Sequence, residues 1–156
     1  MKRVAIIFTV VLLICAATAA IAGTALGAER KKVLIVSQGS DFKKDVIAQI
    51  RKQTEGRGVG ITEKSLSYLS KTSEDEWDAI VVVHAIKVGR MKRDVKRFFD
   101  GVEDWNKVIV VTTCGSEDPV PEEYGIDSLT AASKQAQVDA ASTYAVTRLK
   151  AILQVY

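Results

Sequence analysis

An α/β fold with a parallel sheet covered on both faces is predicted by three observations. First, Val33–Val36, Ala79–Val83 and Val108–Val111 are apolar runs with no polar alternation. That pattern suits strands buried on both sides. Second, the strand-like runs are separated by segments of helical period, which implies parallel pairing with right-handed crossovers. Third, the first run stops at Ser37-Gln38-Gly39-Ser40-Asp41 and a helix pattern follows at once. In such a strand–turn–helix the first helical amides lack internal partners and face the turn with the positive dipole end, so a phosphate-sized anion is favoured there.

The elements follow in order. A helix is predicted from Asp41 to about Thr54, with Phe42, Val46, Ile47 and Ile50 on one face and Lys43, Lys44, Asp45, Arg51 and Lys52 on the other. Ser40 or Asp41 can cap it, and Glu55-Gly56-Arg57-Gly58 ends it. Val59 to about Ser65 alternates and carries polar residues, as an edge strand does. Leu66 to Glu76 is a connection with one helical turn near its end. The strand of Asp78 to His84 leads through Ala85-Ile86-Lys87-Val88-Gly89-Arg90 into a helix from about Met91 to Val102. Met91, Val95, Phe98, Phe99 and Val102 form its buried stripe. Lys107 to Thr113 is the next strand. The loop Cys114 to Ile126 holds both prolines, Pro119 and Pro121. The last helix begins between Ser128 and Ser133 and runs to about Leu153, burying Val138, Ala141, Ala145, Leu149 and Ile152. Trp77 and Trp105 each precede a strand and cover the amino end of the sheet.

Residues 1–28 stand apart. Lys2 and Arg3 precede an uncharged run from Val4 to Ala28, apolar at first and then rich in Ala, Gly and Thr. This describes a signal peptide cleaved near Ala22 or Ala28. The run is also long enough to be an N-terminal membrane anchor. Both readings place residues 29–156 outside the cytoplasm, periplasmic or held at the membrane by the N-terminal segment alone. Ile14 is too large for the position before a lipidated Cys15. Beyond residue 28 lie all 19 acidic and 20 of the 22 basic residues. A formal charge of +1 gives no sign of nucleic-acid binding. Cys114 is the one cysteine of that part, so no internal disulfide forms. With a single histidine and no cysteine pair, a metal site is not expected.

Ligands of open parallel sheets bind at the carboxyl ends of the strands, where the strand order reverses. Three loops meet there: Ser37 to Asp41, His84 to Arg90 and Thr112 to Ser116. His84 serves either as a polar plug or as a proton shuttle. Cys114 is either a small buried residue or a reactive thiol beside a ligand.

Asp78-Ala79-Ile80-Val81-Val82-Val83-His84-Ala85-Ile86-Lys87-Val88-Gly89-Arg90 resembles the third strand and flavin loop of a flavodoxin-domain group that includes menaquinone-dependent protoporphyrinogen oxidases. The resemblance spans roughly Lys32 to Leu153. It implies a flavodoxin-like three-layer sandwich, shortened to a parallel sheet of four or five strands in order 2-1-3-4. It implies FMN as cofactor, with Ser37, Gln38, Gly39, Ser40 and Asp41 at the phosphate. Ile86, Val88, Gly89, Thr113, Cys114 and Gly115 would lie beside the ring. It further implies an electron carrier or oxidoreductase whose partner is a redox protein or a quinone. The chain departs from the pattern in its short hydroxyl loop, in the negative charge of Asp41 and in having no aromatic residue to stack on the ring.

A second stretch, Asp127-Ser128-Leu129-Thr130-Ala131-Ala132-Ser133, is similar to the motif at which extracytoplasmic flavin transferases attach FMN, with Ser133 as acceptor. The same residues also read as the start of the last helix, capped by Ser128 or Thr130. A chain that keeps the fold without flavin would instead be a binding module of the cell envelope.

Overall fold

A computed structural model describes residues 30–86, 90–114, 128–132 and 134–155, with the backbone alone at 114 and 128–132. The readings made on 1–29, 87–89, 115–127 and 133 lie outside them. Among the described residues no helix is long and apolar enough to cross a membrane.

The first apolar run forms β1 (Lys31–Ser37), and Asp41–Thr54 forms α1. Gly56 and Gly58 end that helix in left-handed conformations, φ +74° and +70°, which glycine adopts without steric cost. The edge strand β2 (Val59–Ser65) follows, then two short 3-10 turns. The second apolar run is β3 (Ala79–Ile86), α2 is Arg93–Gly101 and β4 is Val108–Cys114. Ser128–Ala132 is a fifth strand, β5, and α3 is Val138–Leu153.

All pairings are parallel and the order is β2-β1-β3-β4-β5. The expected order 2-1-3-4 is present, with one strand added beyond β4. The last helix therefore starts at Val138 and not between Ser128 and Ser133. The outer edge of β4 presents unpaired amides and carbonyls, and pairing with Ser128–Ala132 satisfies them. That long-range gain outweighs the helix preference of Ala131 and Ala132.

The apolar runs divide by strand alternation into two cores. Val33, Ile35, Ala79, Val81, Val83, Ile109 and Val111 face α1 and α3. Leu34, Val36, Ile80, Val82, Val108 and Val110 face α2 and the turn carrying Leu66 and Leu69. The result is the expected three-layer sandwich. Trp77 and Trp105 pack against the α2 side near the strand starts. Met91 and Val102 flank α2 and are half-buried, as is Ile152. Glu74, itself buried, clips two connections together by accepting from the amides of Glu103 at 2.8 Å and Asp104 at 3.3 Å.

Candidate functional site at the carboxyl rim

Because every strand runs the same way, the carboxyl ends of β1, β3 and β4 share one rim. The register makes that rim a step. Ser37, the last residue of β1, pairs with Ser65 on one side and Val83 on the other. β3 runs on through His84, Ala85 and Ile86, beside Thr112, Thr113 and Cys114, and Cys114 pairs with Ala132. At about 3.3 Å per residue, β3 to β5 stand roughly 10 Å above the end of β1. The order reverses between β1 and β3, so the step lies at the switch point.

The lower tread is the β1–α1 turn. Ser37 and Gln38 are half-buried, while Gly39 and Ser40 are exposed. Ser40 caps α1, its hydroxyl accepting from the Lys43 amide at a long 3.4 Å. A Cβ at Gly39 would meet nothing within 4 Å, so the turn is open above that residue. The Asp41 carboxylate points outward, 95% exposed, and pairs with the Lys44 ammonium at 3.2 Å. This weakens the objection that its charge repels an anion.

The riser is β3 and β4. Ile86 is buried, which limits it to an apolar wall. Thr113 is also buried and its hydroxyl donates to the His84 carbonyl at 3.0 Å, so that hydroxyl is already committed to the sheet. Cys114 is the last residue of β4. Val88, Gly89, Gly115 and Ser133 lie outside the described residues, although β5 ends at Ala132 beside Cys114 and so brings the chain to this rim just before Ser133. Ser37 to Asp41 thus form one continuous patch, with Ile86, Thr113 and Cys114 at the top of the adjacent wall.

His84 is 1% exposed, on the α2 side of the sheet, edge-on to Phe99 at 5.9 Å. Its Nε2 shares a hydrogen bond with the Thr112 hydroxyl at 3.0 Å. Nδ1 is buried with no hydrogen-bond partner among the described residues. Burial, and next the charge of Lys43, push the imidazole pKa down to about 4, against a smaller opposite pull from the Ala85 backbone. The ring is neutral at neutral pH.

Sequence reasoning missed Lys43. The helical pattern predicts it on the solvent side with Lys44, yet it is 4% exposed. The signal was present: Lys43, Ile47, Ile50 and Thr54 recur at helical spacing, and the last three are buried too. Among the described residues no three His, Cys, Asp or Glu side chains form a metal cluster. A separate cleft of about 760 Å3 lies at the opposite, amino end of the sheet. Its walls carry both charge signs, and Lys31–Asp78 and Lys107–Asp75 approach at 3.3 and 3.9 Å.

No family model matches the chain, and no curated protein matches it. Solved structures do. A flavodoxin from the domain Archaea aligns over 79% of this chain and 99% of its own, at TM-score 0.54 and 13% identity. Flavodoxin 2 from Bacillus cereus aligns over 78% and 99%, at 0.53 and 12%. The Flv1 flavodiiron core from Synechocystis sp. PCC6803 reaches TM-score 0.60 at 9% identity, over 82% of this chain and 37% of its own. The fold is flavodoxin-like. At these identities the likeness is one of backbone path, and the chemistry rests on the residues themselves.

The lower tread has the features of a small-anion site. The turn is open, carries two hydroxyls and abuts a helix start, and its one acid points away.

Proposed function

We propose that this chain is an exported flavodoxin-like redox protein that holds FMN at the carboxyl rim and passes electrons. One observation carries the reading. The open β1–α1 turn sits at the foot of a step about 10 Å high, at the switch point of a parallel sheet. Ser37, Gln38, Gly39 and Ser40 would hold the phosphate, and Ile86 with the end of β4 would wall the ring. The flavin supplies the electron chemistry when bound. The chain binds it, orients it and limits water around it, and none of its residues need act as acid, base or nucleophile. The likeness of Asp78–Arg90 to the flavin loop of the protoporphyrinogen oxidase group supports the same cofactor. Export by a cleaved signal or a retained anchor within residues 1–28 belongs to this proposal, as does a redox protein or quinone as partner. Its finer version is a covalent flavin on Ser133, supported by the motif Asp127–Ser133 and by the end of β5 at the same rim.

The test is a visible spectrum of the full-length chain purified from an exporting host, before and after acid precipitation. Flavin absorbance released to the supernatant is the expected result for noncovalent FMN. Absorbance kept in the pellet and lost in Ser133→Ala establishes the covalent link. A colourless protein that takes up no added FMN overturns the proposal and leaves the flavin-free binding module.

A further inference from the structure

The amino face of the sheet lies next to the apolar N-terminal run in the chain. Only Glu29 and Arg30 separate the uncharged run Val4–Ala28 from β1, which starts at Lys31. Even fully extended, the path from Ala28 to Lys31 covers about 10 Å. β1 is an inner strand, with β2 on one side and β3 to β5 on the other. Helices cover both faces of the sheet, and each such layer adds roughly 10 Å. The tether therefore leaves from within the amino face and has no length to spare for running round the side of the domain. The carboxyl rim is at the far end of the strands, about 26 Å away along the 8 residues of β3. The amino face is polar and carries both signs. Its cleft of about 760 Å3 is lined by Arg30, Lys32 and Lys107 and by Asp75, Glu76 and Asp104. Trp77 also lines it, and the indole Nε1 is buried with no hydrogen-bond partner among the described residues. A phospholipid headgroup layer is likewise built of phosphate and ammonium groups, and tryptophan is enriched at that level.

We propose that Val4–Ala28 is retained as an anchor and that the amino face rests on the headgroups of a phospholipid bilayer, so that the carboxyl rim points into water and meets a water-soluble protein, not a quinone dissolved in the bilayer. The choice of partner rests on the redox reading above; the orientation does not. The run is long enough to cross the hydrocarbon core. The mixed charge of the face makes the short tether, and not attraction to anionic lipid, the force that holds it down. Neutral lipid therefore suffices.

The test places one nitroxide label at each end of the full-length chain, in a Cys15→Ala, Cys114→Ser background. Asn106→Cys carries it at the amino face, and Ser67→Cys carries it just past the carboxyl end of β2; both positions are exposed. The chain is reconstituted in phosphatidylcholine vesicles whose headgroups bear chelated nickel, and relaxation of the label reports its nearness to the headgroups. Relaxation is expected to be several-fold stronger at Asn106→Cys than at Ser67→Cys, with no need for anionic lipid. If either variant does not fold, Lys150→Cys and Lys92→Cys make the same comparison at the same two ends. Equal relaxation at both ends, or the reverse order, overturns the orientation and with it the choice of a water-soluble partner. Mass spectrometry of the chain from the exporting host is expected to find Val4–Ala28 still attached. Cleavage near Ala22 or Ala28 overturns this inference and leaves the flavin reading intact. A chain that is anchored and oriented as stated but takes up no FMN supports the orientation and overturns the flavin reading together with the partner.

Discussion

His84 shows how one buried polar side chain couples the rim to pH. In the unfolded chain it titrates near 6.5, and in the fold near 4. Between those values the unfolded chain binds the extra proton, so stability rises with pH and is level above about 6.5. The loss on acidification from pH 7 to 4 is about 3 kcal/mol from this group. Urea midpoints measured across that range should fall for the wild type, and His84→Gln should remove most of the slope. An equal slope in both proteins would mean that the imidazole is not held neutral by burial. Glu74 and Asp78 act in a lower window. Each carboxyl is held below its ordinary value chiefly by a backbone amide, from Glu103 and Lys32 respectively. Their contributions are present above the ordinary carboxyl range and vanish as pH falls through the lowered values. The composition announces a lone histidine at a strand end. The Thr112 partner, the Phe99 edge and the orphan Nδ1 depend on which strand lies next to β3.

At the scale of elements, α1 and α3 are joined by polar side chains above their apolar contact. Gln49 donates to Asp139 at 2.7 Å and accepts from the Ser142 hydroxyl at 2.9 Å. Gln135 donates to Asp45 at 3.1 Å. Ser142 is fully buried. Gln49→Ala is expected to cost about 1–2 kcal/mol in urea unfolding, since it strips a partner from a buried hydroxyl. The bond from Ser142 to the Asp139 carbonyl, 3.1 Å, keeps the value from being larger. A Gln49→Ala chain as stable as the wild type would show that water replaces the amide. Strand and helix positions up to Cys114 are legible in the sequence because each has a strong period of its own. β5 is not: Ser-Leu-Thr-Ala-Ala is short and alanine-rich, and only the edge of β4 makes it a strand.

At the scale of the molecule, two apolar cores lie on opposite faces of one sheet, and each strand from β1 to β4 contributes to at least one of them. Trp77 and Trp105 both pack on the α2 side. Indole fluorescence therefore reports one layer, whereas far-UV circular dichroism reports all three. The two unfolding curves are expected to coincide, because β1, β3 and β4 serve both cores and neither layer keeps its packing without them. Curves that separate would reveal an α2 layer that melts by itself. The same architecture puts Arg30, the first described residue, at the amino end and the candidate site at the carboxyl end.

The sequence alone determined the alternation of buried strands and helices, the polar turn after β1 and the absence of an internal disulfide beyond residue 28. These follow from period, punctuation and composition, which are local properties. The tertiary structure decided the fifth strand, the depth of the step between β1 and β3, the neutral His84 and the inward turn of Lys43. Each depends on which backbone edge is left unpaired, or on what lies across from a side chain, and those are relations between residues far apart in the chain.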